Sequence, residues 1–169
     1  MSDLRLELGC GRFPHPGYKT IDVESYANPD YLGDFRTMDF TDVEEIRSHH
    51  LLEHFDRKEV IEVLKLWHKW LKPRGTIVIE TPDVEQICYF FTHPTKCWAN
   101  RETLVRALYG SQEAGWAYHK DGWYEEKYRE VLPQVGFEII NLKHVFNHTK
   151  GMNGCRYRLP NIYVYAKKI

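Results

Sequence analysis

The sequence predicts an α/β fold with a mostly parallel sheet and an antiparallel last strand, arranged as three α/β/α layers. Strand-like and helix-like segments alternate in the coarse pattern of the chain, as in parallel α/β sheets. A β-branched run at residues 76–79 is typical of a buried parallel strand. The 169 residues, 43 % of them hydrophobic, suit one domain covering residues 1–169 and exclude a disordered chain.

Four strands are predicted in the first part of the chain. Residues 4–8 alternate apolar and polar side chains and end at Gly9, which indicates the first strand. The second, third and fourth strands are predicted at residues 18–23, 31–35 and 43–48. The fourth has an unusual composition for a buried central strand, because half of its side chains are charged.

The clearest helix lies between residues 60 and 71, where large apolar side chains recur at helical spacing. Asp56 and Glu59 predict a capping box at its start, and Pro73 ends it. The β-branched run at residues 76–79 then forms the fifth strand. We therefore expect this helix to connect the fourth and fifth strands, which run parallel.

A helical insertion is predicted over residues 82–135, between strands 5 and 6. This stretch contains no convincing strand and is about twice as long as a crossover helix with its loops requires. Asp83 is predicted to cap its first helix, and Asp121 is predicted to cap the last, at residues 121–134. The insertion is rich in aromatic side chains, and we expect it to lie over the carboxyl edge of the sheet and bind a substrate.

The last two strands are predicted at residues 138–145 and 158–166, antiparallel to each other, with Gly151 and Gly154 in the turn region. After Glu138 the chain has six basic side chains and no acidic one. This distribution indicates either solvated strands or a surface that favours an anionic substrate.

Nothing in the sequence directs the chain to a membrane or to an oxidising compartment. The first residues lack the basic and apolar regions of a signal peptide, and no apolar run approaches the ~18 residues of a membrane span. The four cysteines form no C-x-x-C pair and are predicted to be reduced thiols. A net charge of −1 and the lack of a base-flipping signature disfavour a nucleic-acid partner. We therefore expect a cytoplasmic monomer or homodimer with a small-molecule substrate.

Glycines and carboxylates mark the ends of the first three strands. Gly9 and Gly11 follow the first strand, where glycine lets the backbone approach a ligand and point N–H groups at it. Asp22 ends the second strand, where an acid accepts hydrogen bonds from ribose hydroxyls in dinucleotide-binding folds. Asp34 and Phe35 end the third, where a carboxylate can accept from an adenine amino group.

The order of these motifs resembles that of class I methyltransferases, which use S-adenosylmethionine (SAM). The shared segments are LELGCG at residues 6–11, GYKTID at 17–22, SHHLLEHF at 48–55 and LKPRG at 71–75. Gly136 and Phe137, before the sixth strand, also fit. The resemblance covers residues 4–82 and, loosely, the last two strands. It implies a Rossmann-like sheet, SAM as the cofactor and methyl transfer as the activity.

The resemblance assigns nine residues to the cofactor. Those expected to hold its methionine part are Glu7, Gly9, Cys10 and Gly11. Asp22 is expected to hold the ribose, and Asp34 and Phe35 to flank the adenine. His49 and His50 are expected near the sulfonium, at the carboxyl edge of the sheet.

The link between Gly11 and Asp22 departs from the usual pattern. The third glycine is replaced by Arg12 and Phe13, and only ten residues separate Gly11 from Asp22. Dinucleotide-binding folds place roughly 20 residues between the glycine motif and the acid. A crossover helix does not fit, so a loop or a single turn is predicted, with little helix-dipole help for an anion. SAM, which has no pyrophosphate, tolerates this better than a dinucleotide.

Methyl transfer requires alignment of the reacting atoms and exclusion of water, because the methyl group of a sulfonium is already activated. A hydroxyl acceptor also benefits from a general base. The candidate bases are His50, Glu53, His54 and His119. Of these, His54 and His119 are predicted to be catalytic. The acceptor is predicted to be a small polar molecule, such as a sugar or another metabolite.

Two other functions fit parts of the sequence. His50, Glu53 and His54 match the H-x-x-E-H motif of one class of zinc proteases. On a helix, the two histidines would share a face and could bind zinc. The motif ends at Asp56 with no long helix and no evident third ligand, so no metal is predicted. Alternatively, the short first crossover leaves a methyltransferase-like binding module with little affinity for SAM.

Overall fold

The computed structural model describes residues 3–93, 100–150 and 156–169. Its strands are β1 (Leu4–Leu8), β2 (Lys19–Asp22), β3 (Tyr31–Leu32), β4 (Val43–His49), β5 (Leu71–Pro82), β6 (Phe137–Lys150) and β7 (Arg156–Lys168). They form one sheet of order β3-β2-β1-β4-β5-β7-β6. β1 to β5 pair in parallel, whereas β7 pairs antiparallel with both β5 and β6. The predicted mostly parallel sheet with an antiparallel last strand is confirmed.

The α-helices of the described residues are α1 (Glu59–Trp70), α2 (Val84–Thr92), α3 (Arg101–Tyr109) and α4 (Glu125–Gln134). α1 begins at the predicted capping box: Asp56 Oδ1 accepts from the Glu59 N–H at 2.9 Å, and Glu59 Oε2 accepts from the Asp56 N–H at 3.1 Å. Asp83 caps α2, since its carboxylate accepts from the Gln86 N–H at 3.1 Å. Both predicted caps are confirmed. Within the described ranges, no helix has the length and apolarity that crossing a membrane requires.

The last helix of the insertion starts later than predicted. α4 begins at Glu125, and its N-cap residue makes no capping hydrogen bond through its side chain. Trp123 forms a β-bridge with Asp83, which keeps the chain extended just before the helix. The prediction that Asp121 caps this helix is therefore wrong. The Asp121 side chain is 5 % exposed and pairs instead with Lys127.

One face of the sheet packs against α1 and α4. The fully buried strand residues of this layer include Leu6, Ile46, Ile77 and Val164. Trp67 and Trp70 of α1 and Tyr128 of α4 fill the space above them and are also fully buried. Burial of each large apolar side chain contributes about 1.5–3 kcal/mol. This layer therefore fixes the strands whose ends carry the site.

On the opposite face of the sheet, the first three crossovers are short. The crossovers after β1, β2 and β3 contain loops and the 3₁₀ turns Ser25–Ala27 and Phe35–Thr37, but no α-helix. A parallel crossover through a helix needs about a dozen residues or more, and each of these links has ten or fewer. The loop predicted between Gly11 and Asp22 is thereby confirmed.

This open face explains the charged composition of β4. Glu45 accepts hydrogen bonds from the Tyr18 hydroxyl and from Thr76 Oγ1, the latter at 3.0 Å. Arg47 Nε donates to Glu7 Oε1 at 3.2 Å. A central strand tolerates these charges because their partners lie on neighbouring elements and no helix of the preceding crossovers covers them.

The insertion lies over the carboxyl edge of the sheet, as predicted. The Lys120 N–H donates to the carbonyl oxygen of Glu53 at 2.8 Å, and Trp116 Nε1 donates to Glu24 Oε1 at 2.5 Å. α2 and α3 pack together and contact β7 through a small apolar cluster of Ile87, Leu104, Ala107 and Leu159. The insertion therefore reaches the ends of both β2 and β4.

Some sequence predictions concern residues outside those described. They are the turn at Gly151 and Gly154 and the thiols of Cys97 and Cys155. Cys10 and Cys88, which the structure does describe, are free thiols.

Candidate active site

A cavity of about 480 Å³ opens at the carboxyl edge of the sheet. Its wall combines the loop after β1, the ends of β2 and β4, the 3₁₀ turn after β3 and part of the insertion. This volume lies in the usual range for small-molecule sites, roughly 300–1,000 Å³. Open α/β sheets bind ligands at this edge, at the point where the strand order reverses, and here that point is β1 between β2 and β4.

The loop after β1 bends at two glycines with left-handed backbone. The angle φ is 66° at Gly9 and 55° at Gly11, a region that other residues rarely adopt. The N–H groups of Gly9 and Cys10 donate to the carbonyl oxygen of Ile21 at 2.9 and 3.4 Å. A Cβ on Gly9 would meet Leu51 at 3.1 Å, whereas a Cβ on Gly11 would meet nothing within 4 Å. The backbone at Gly11 therefore leaves room for a ligand.

Asp22 holds this bend from the end of β2. Its Oδ2 accepts from the Gly11 N–H and its Oδ1 from the Glu24 N–H, both at 2.9 Å. Each carboxylate oxygen has a second lone pair, and Asp22 lies in the cavity wall. Cys10 lies beside it, and burial, followed by the charges of Asp22 and Glu7, raises the pKa of its thiol to about 11. The thiol is therefore a neutral part of the wall.

Glu7 is placed differently from the predicted cofactor contact. It is not part of the cavity wall. Its Oε2 accepts from the His15 N–H at 2.6 Å, and its Oε1 accepts from Arg47 Nε at 3.2 Å. Because both oxygens hold protein groups, Glu7 shapes the loop after the glycine bend rather than the surface of the cavity.

The cavity end beside β3 is aromatic. Phe35 is 6 % exposed and contacts Phe55 edge-on, with 5.8 Å between ring centroids. β3 is shorter than predicted because Asp34 caps the 3₁₀ turn that follows it. Asp34 also accepts from Arg36 Nε at 3.0 Å and Nη2 at 2.7 Å, and these hydrogen bonds lower the pKa of Asp34. Its carboxylate is thus paired with Arg36 and is not free for an adenine amino group.

His49 and His50 leave β4 at the cavity and are held by a polar network. His49 Nε2 lies 2.9 Å from Glu80 Oε1, to which Asn161 Nδ2 donates at 2.8 Å. The His50 backbone is left-handed, with φ of 54°, and its N–H donates to the Glu80 carbonyl oxygen at 2.8 Å. Burial would raise the pKa of Glu80, but the hydrogen bonds from His49 and Asn161 outweigh it and lower the pKa.

Two further histidines face each other where the insertion meets the sheet edge. The rings of His54 and His119 lie 4.8 Å apart between centroids and nearly perpendicular. His54 Nδ1 lies 3.0 Å from the Tyr118 carbonyl oxygen, and His119 Nδ1 lies 2.9 Å from that of Ala107. Each ring therefore donates through Nδ1 and keeps a lone pair on Nε2. The structure brings together the two histidines that the sequence singles out.

Glu53 lies beside this pair and is 1 % exposed. Its Oε1 lies 3.2 Å from His50 Nδ1 and 4.0 Å from His119 Nε2. Burial would raise the pKa of Glu53, but the interaction with His50 outweighs it and lowers the pKa. Burial lowers the pKa of His119. The junction thus combines an ionised buried carboxylate with a neutral imidazole.

The geometry that a zinc-protease motif requires is absent from residues 50–54. Leu52–His54 is a 3₁₀ turn and not part of an α-helix. His50 and His54 therefore do not share a helix face, and His50 Nδ1 is directed at Glu53 instead. The H-x-x-E-H pattern in this chain therefore does not form the helical metal site of that protease class.

Sequence reasoning missed several residues of the cavity wall. Trp116 and Lys120 reach it from the insertion, and Tyr26 reaches it from the turn after β2. The Arg12 guanidinium lies over the Tyr26 ring, 4.8 Å from its centroid. The aromatic content of the insertion was the only sequence signal for this wall, and it did not identify individual residues.

Comparison with solved structures identifies the fold. A SAM-dependent methyltransferase from Methanosarcina mazei is 16 % identical, with a TM-score of 0.68 over 99 % of this chain and 92 % of its own. One from Anabaena variabilis is 12 % identical, with a TM-score of 0.64 over 99 % and 77 %. One from Archaeoglobus fulgidus is 18 % identical, with a TM-score of 0.60 over 99 % and 87 %. No protein-family model and no curated protein sequence matches the chain. The chain has the Rossmann-like fold of the class I SAM-dependent methyltransferases.

Proposed function

We propose that this protein is an enzyme that transfers a methyl group from SAM to a small polar acceptor, such as a sugar or another metabolite. One observation carries the proposal: the glycine bend after β1 and the Asp22 carboxylate border the same cavity at the switch point of the sheet. The fold supports the cofactor class, because its structural neighbours include SAM-dependent methyltransferases.

The glycine bend suits SAM better than a dinucleotide. The N–H groups of Gly9, Cys10 and Gly11 all donate within the protein, to Ile21 or Asp22. The bend therefore lacks the free N–H donors that a pyrophosphate requires. SAM has no pyrophosphate and does not need them.

The remaining cofactor contacts follow the wall of the cavity. Asp22 would accept hydrogen bonds from the ribose hydroxyls through its free lone pairs. Phe35 would pack against the adenine. Asp34 would shape this end of the cavity indirectly, through its ion pair with Arg36 and the 3₁₀ turn that it caps. When bound, SAM supplies a methyl group that is already activated by the sulfonium. His49 and His50 would border that group at the end of β4.

His54 and His119 are the proposed catalytic residues on the acceptor side. His54 lies in the cavity wall, and His119 comes from the insertion directly above it. Their Nδ1 atoms are engaged with backbone carbonyls, which leaves Nε2 as the atom that would accept a proton from an acceptor hydroxyl. His119 is not among the residues that line the cavity, so its proposed role is the less direct one. The lowered pKa of His119, caused by burial, keeps this imidazole neutral at neutral pH. Trp116 and Lys120 also line the cavity, whose volume of about 480 Å³ suits a small acceptor.

Calorimetry with SAM and with its demethylated product tests the proposal. We expect both to bind the wild type, and Asp22→Ala to weaken both by about tenfold or more, since a hydrogen bond to a charged group contributes roughly 1.5–3 kcal/mol. Asp39→Ala is the matched control, because Asp39 is exposed and pairs with Lys69 outside the cavity. Equal affinities in both variants would remove Asp22 from the site. No binding to the wild type would leave the binding-module interpretation.

A further inference from the structure

Three side chains at the junction of the insertion and the sheet edge form a compact set of metal-ligating atoms. Glu53, His54 and His119 each offer one such atom, and these atoms lie within 4.8 Å of one another. The set borders the cavity, since His54 is part of its wall. The proposed role as general bases explains the two histidines, but it does not explain why a buried carboxylate lies beside them.

The Glu53 carboxylate is the first reason to infer a cation. The residue is 1 % exposed, and neither of its side-chain oxygens has a hydrogen-bond partner of normal geometry among the described residues. The ring nitrogens of His50 and His119 lie 3.2 and 4.0 Å from Oε1. A buried carboxylate with incomplete hydrogen bonding is strongly destabilising, and a bound cation would remove that cost.

The hydrogen bonds of the two histidines are the second reason. His54 Nδ1 bonds to the carbonyl oxygen of Tyr118, and His119 Nδ1 bonds to that of Ala107. Metal-binding histidines have this arrangement, in which the second ring nitrogen donates to a carbonyl and thereby fixes the tautomer and the ring direction. Both rings are thus fixed beside Glu53, and the Nε2 atom of His119 lies 4.0 Å from its Oε1.

We propose that Glu53, His54 and His119 bind one divalent metal ion, zinc or another first-row metal of similar preference. Two imidazoles and a carboxylate suit such metals, and three protein ligands leave a coordination position open. Bonds of about 2.0–2.2 Å place tetrahedral ligand atoms roughly 3.4 Å apart. Metal binding would therefore require the ligand atoms, now up to 4.8 Å apart, to draw together by roughly 1 Å.

A neighbouring group of His49, His50 and Glu80 does not carry the same inference. Its ligand-type atoms also lie within 4.8 Å of one another. Glu80, however, is already paired with His49 at 2.9 Å and accepts from Asn161 at 2.8 Å. These groups satisfy one another and need no cation. His50 instead supports the proposed site, because its Nδ1 orients the Glu53 carboxylate.

A metal ion held by these residues would lie beside the cavity, because His54 is part of its wall. It would supply a Lewis acid that binds an oxygen of the acceptor and lowers the pKa of that hydroxyl, with the proton released to solvent. In the metal-bound protein His54 and His119 would be ligands, so this activation would replace their proposed role as general bases. The acceptor would then be a molecule with a hydroxyl or carboxylate oxygen near the methylated atom. This consequence for the acceptor rests on the proposed function, whereas binding of the metal does not.

Zinc titration of the full chain, stripped with a chelator, tests the site. Calorimetry and competition with a coloured chelator should show one zinc ion per wild-type chain. Glu53→Gln, which keeps the side-chain volume, and His119→Ala should each weaken zinc binding at least tenfold. His93→Ala is the matched control, because His93 is exposed at the end of α2 and its loss should leave zinc binding unchanged. Circular dichroism checks that each variant is folded.

The possible results separate this inference from the proposed function. Absence of a one-to-one zinc complex, or equal zinc affinity in Glu53→Gln and the wild type, would overturn the metal site. An equal loss in His93→Ala and His119→Ala would overturn it too, because binding would then be unspecific. SAM binding is measured on the same stripped protein. Retained SAM binding without zinc binding would leave the methyltransferase proposal intact, and the reverse result would leave only the metal site.

Discussion

The cavity wall formed by the sheet edge comes from one continuous part of the chain, residues 9–55, whereas the opposite wall comes from residues 115–120 of the insertion. The first wall is tied by contacts between neighbouring strands, such as Gly11 to Asp22. The second is tied by contacts between distant segments, such as Trp116 to Glu24. We call the first the cofactor wall, after its proposed role, and the second the insertion wall. Local backbone geometry determines the shape of the cofactor wall, and tertiary packing determines the position of the insertion wall. Substitutions should therefore affect the two walls separately.

Gly110→Ala should have the largest effect, and it acts on the insertion wall. Gly110 has a φ of 83° and forms a β-bridge with Tyr118, so that a Cβ would overlap the carbonyl oxygen of Ala117. Backbone strain and steric overlap together should lower the free energy of unfolding by roughly 2–4 kcal/mol. Chemical denaturation measures this loss.

Gly115→Ala is the control for this substitution on the same wall. A Cβ on Gly115 would meet nothing within 4 Å, so its effect on stability should stay within about 0.5 kcal/mol. Similar losses in both variants would show that the insertion wall does not depend on the close packing at Gly110. The comparison between the two walls would then lose its physical basis.

The cofactor wall could be predicted from the sequence because its glycines and acids stand at the ends of strands. Gly11, Asp22 and Phe35 all reach the cavity. The partners of the carboxylates could not be predicted in this way. Glu7 is held by Arg47 and the loop, and Asp34 is held by Arg36, because these pairs depend on which strands and turns become neighbours.

The absence of α-helices from the first three crossovers has a signal in the sequence, namely the shortness of the links. The ten-residue link from Gly11 to Asp22 predicted a loop. The links after β2 and β3 contain ten residues or fewer, so the same argument applies to them. The charges of Glu45 and Arg47 in β4 pointed to the same open face. The meeting of Glu53 with His119 had no comparable signal, since it requires the insertion to fold back over the sheet edge.

Gly11→Ala should have an intermediate effect on stability but a specific effect on the cofactor wall. A residue with a side chain in left-handed backbone costs about 1–2 kcal/mol, and the free energy of unfolding should fall by that amount. The added methyl group would enter space next to the cavity, because nothing in the protein lies within 4 Å of it. SAM affinity, measured by calorimetry, should therefore fall at least about tenfold, which corresponds to about 1.4 kcal/mol.

Gly17→Ala separates backbone strain from blocking of the cavity. Gly17 also has a positive φ, 89°, and open space around its Cβ position, but it is not in the cavity wall. Its stability loss should resemble that of Gly11→Ala, while its SAM affinity should equal that of the wild type. If both variants lost SAM affinity equally, the loop after β1 would act only through its overall conformation.

The smallest effect should be a pH dependence at the base of the insertion. His144 Nδ1 lies 2.6 Å from Asp83 Oδ2, and Asp83 is fully buried and caps α2. The hydrogen bond to Asp83, followed by the interaction with Glu125, raises the pKa of His144 above its ordinary 6.5. Protonated His144 therefore stabilises the folded chain. This contribution is complete below the unfolded pKa and is lost as the pH rises through the folded pKa.

Urea denaturation of the wild type and His144→Gln at pH 5.5 and pH 9 measures this contribution. Because the His144 side chain is 38 % exposed, solvent screening should keep the difference between the two proteins below about 1 kcal/mol at pH 5.5, and the part of it that depends on the charge of His144 should be lost by pH 9. A constant difference across this range would show that the ion pair with Asp83 does not anchor the insertion. The SAM affinity of His144→Gln should equal that of the wild type, because the strands that hold the cofactor wall do not touch the pair of His144 and Asp83.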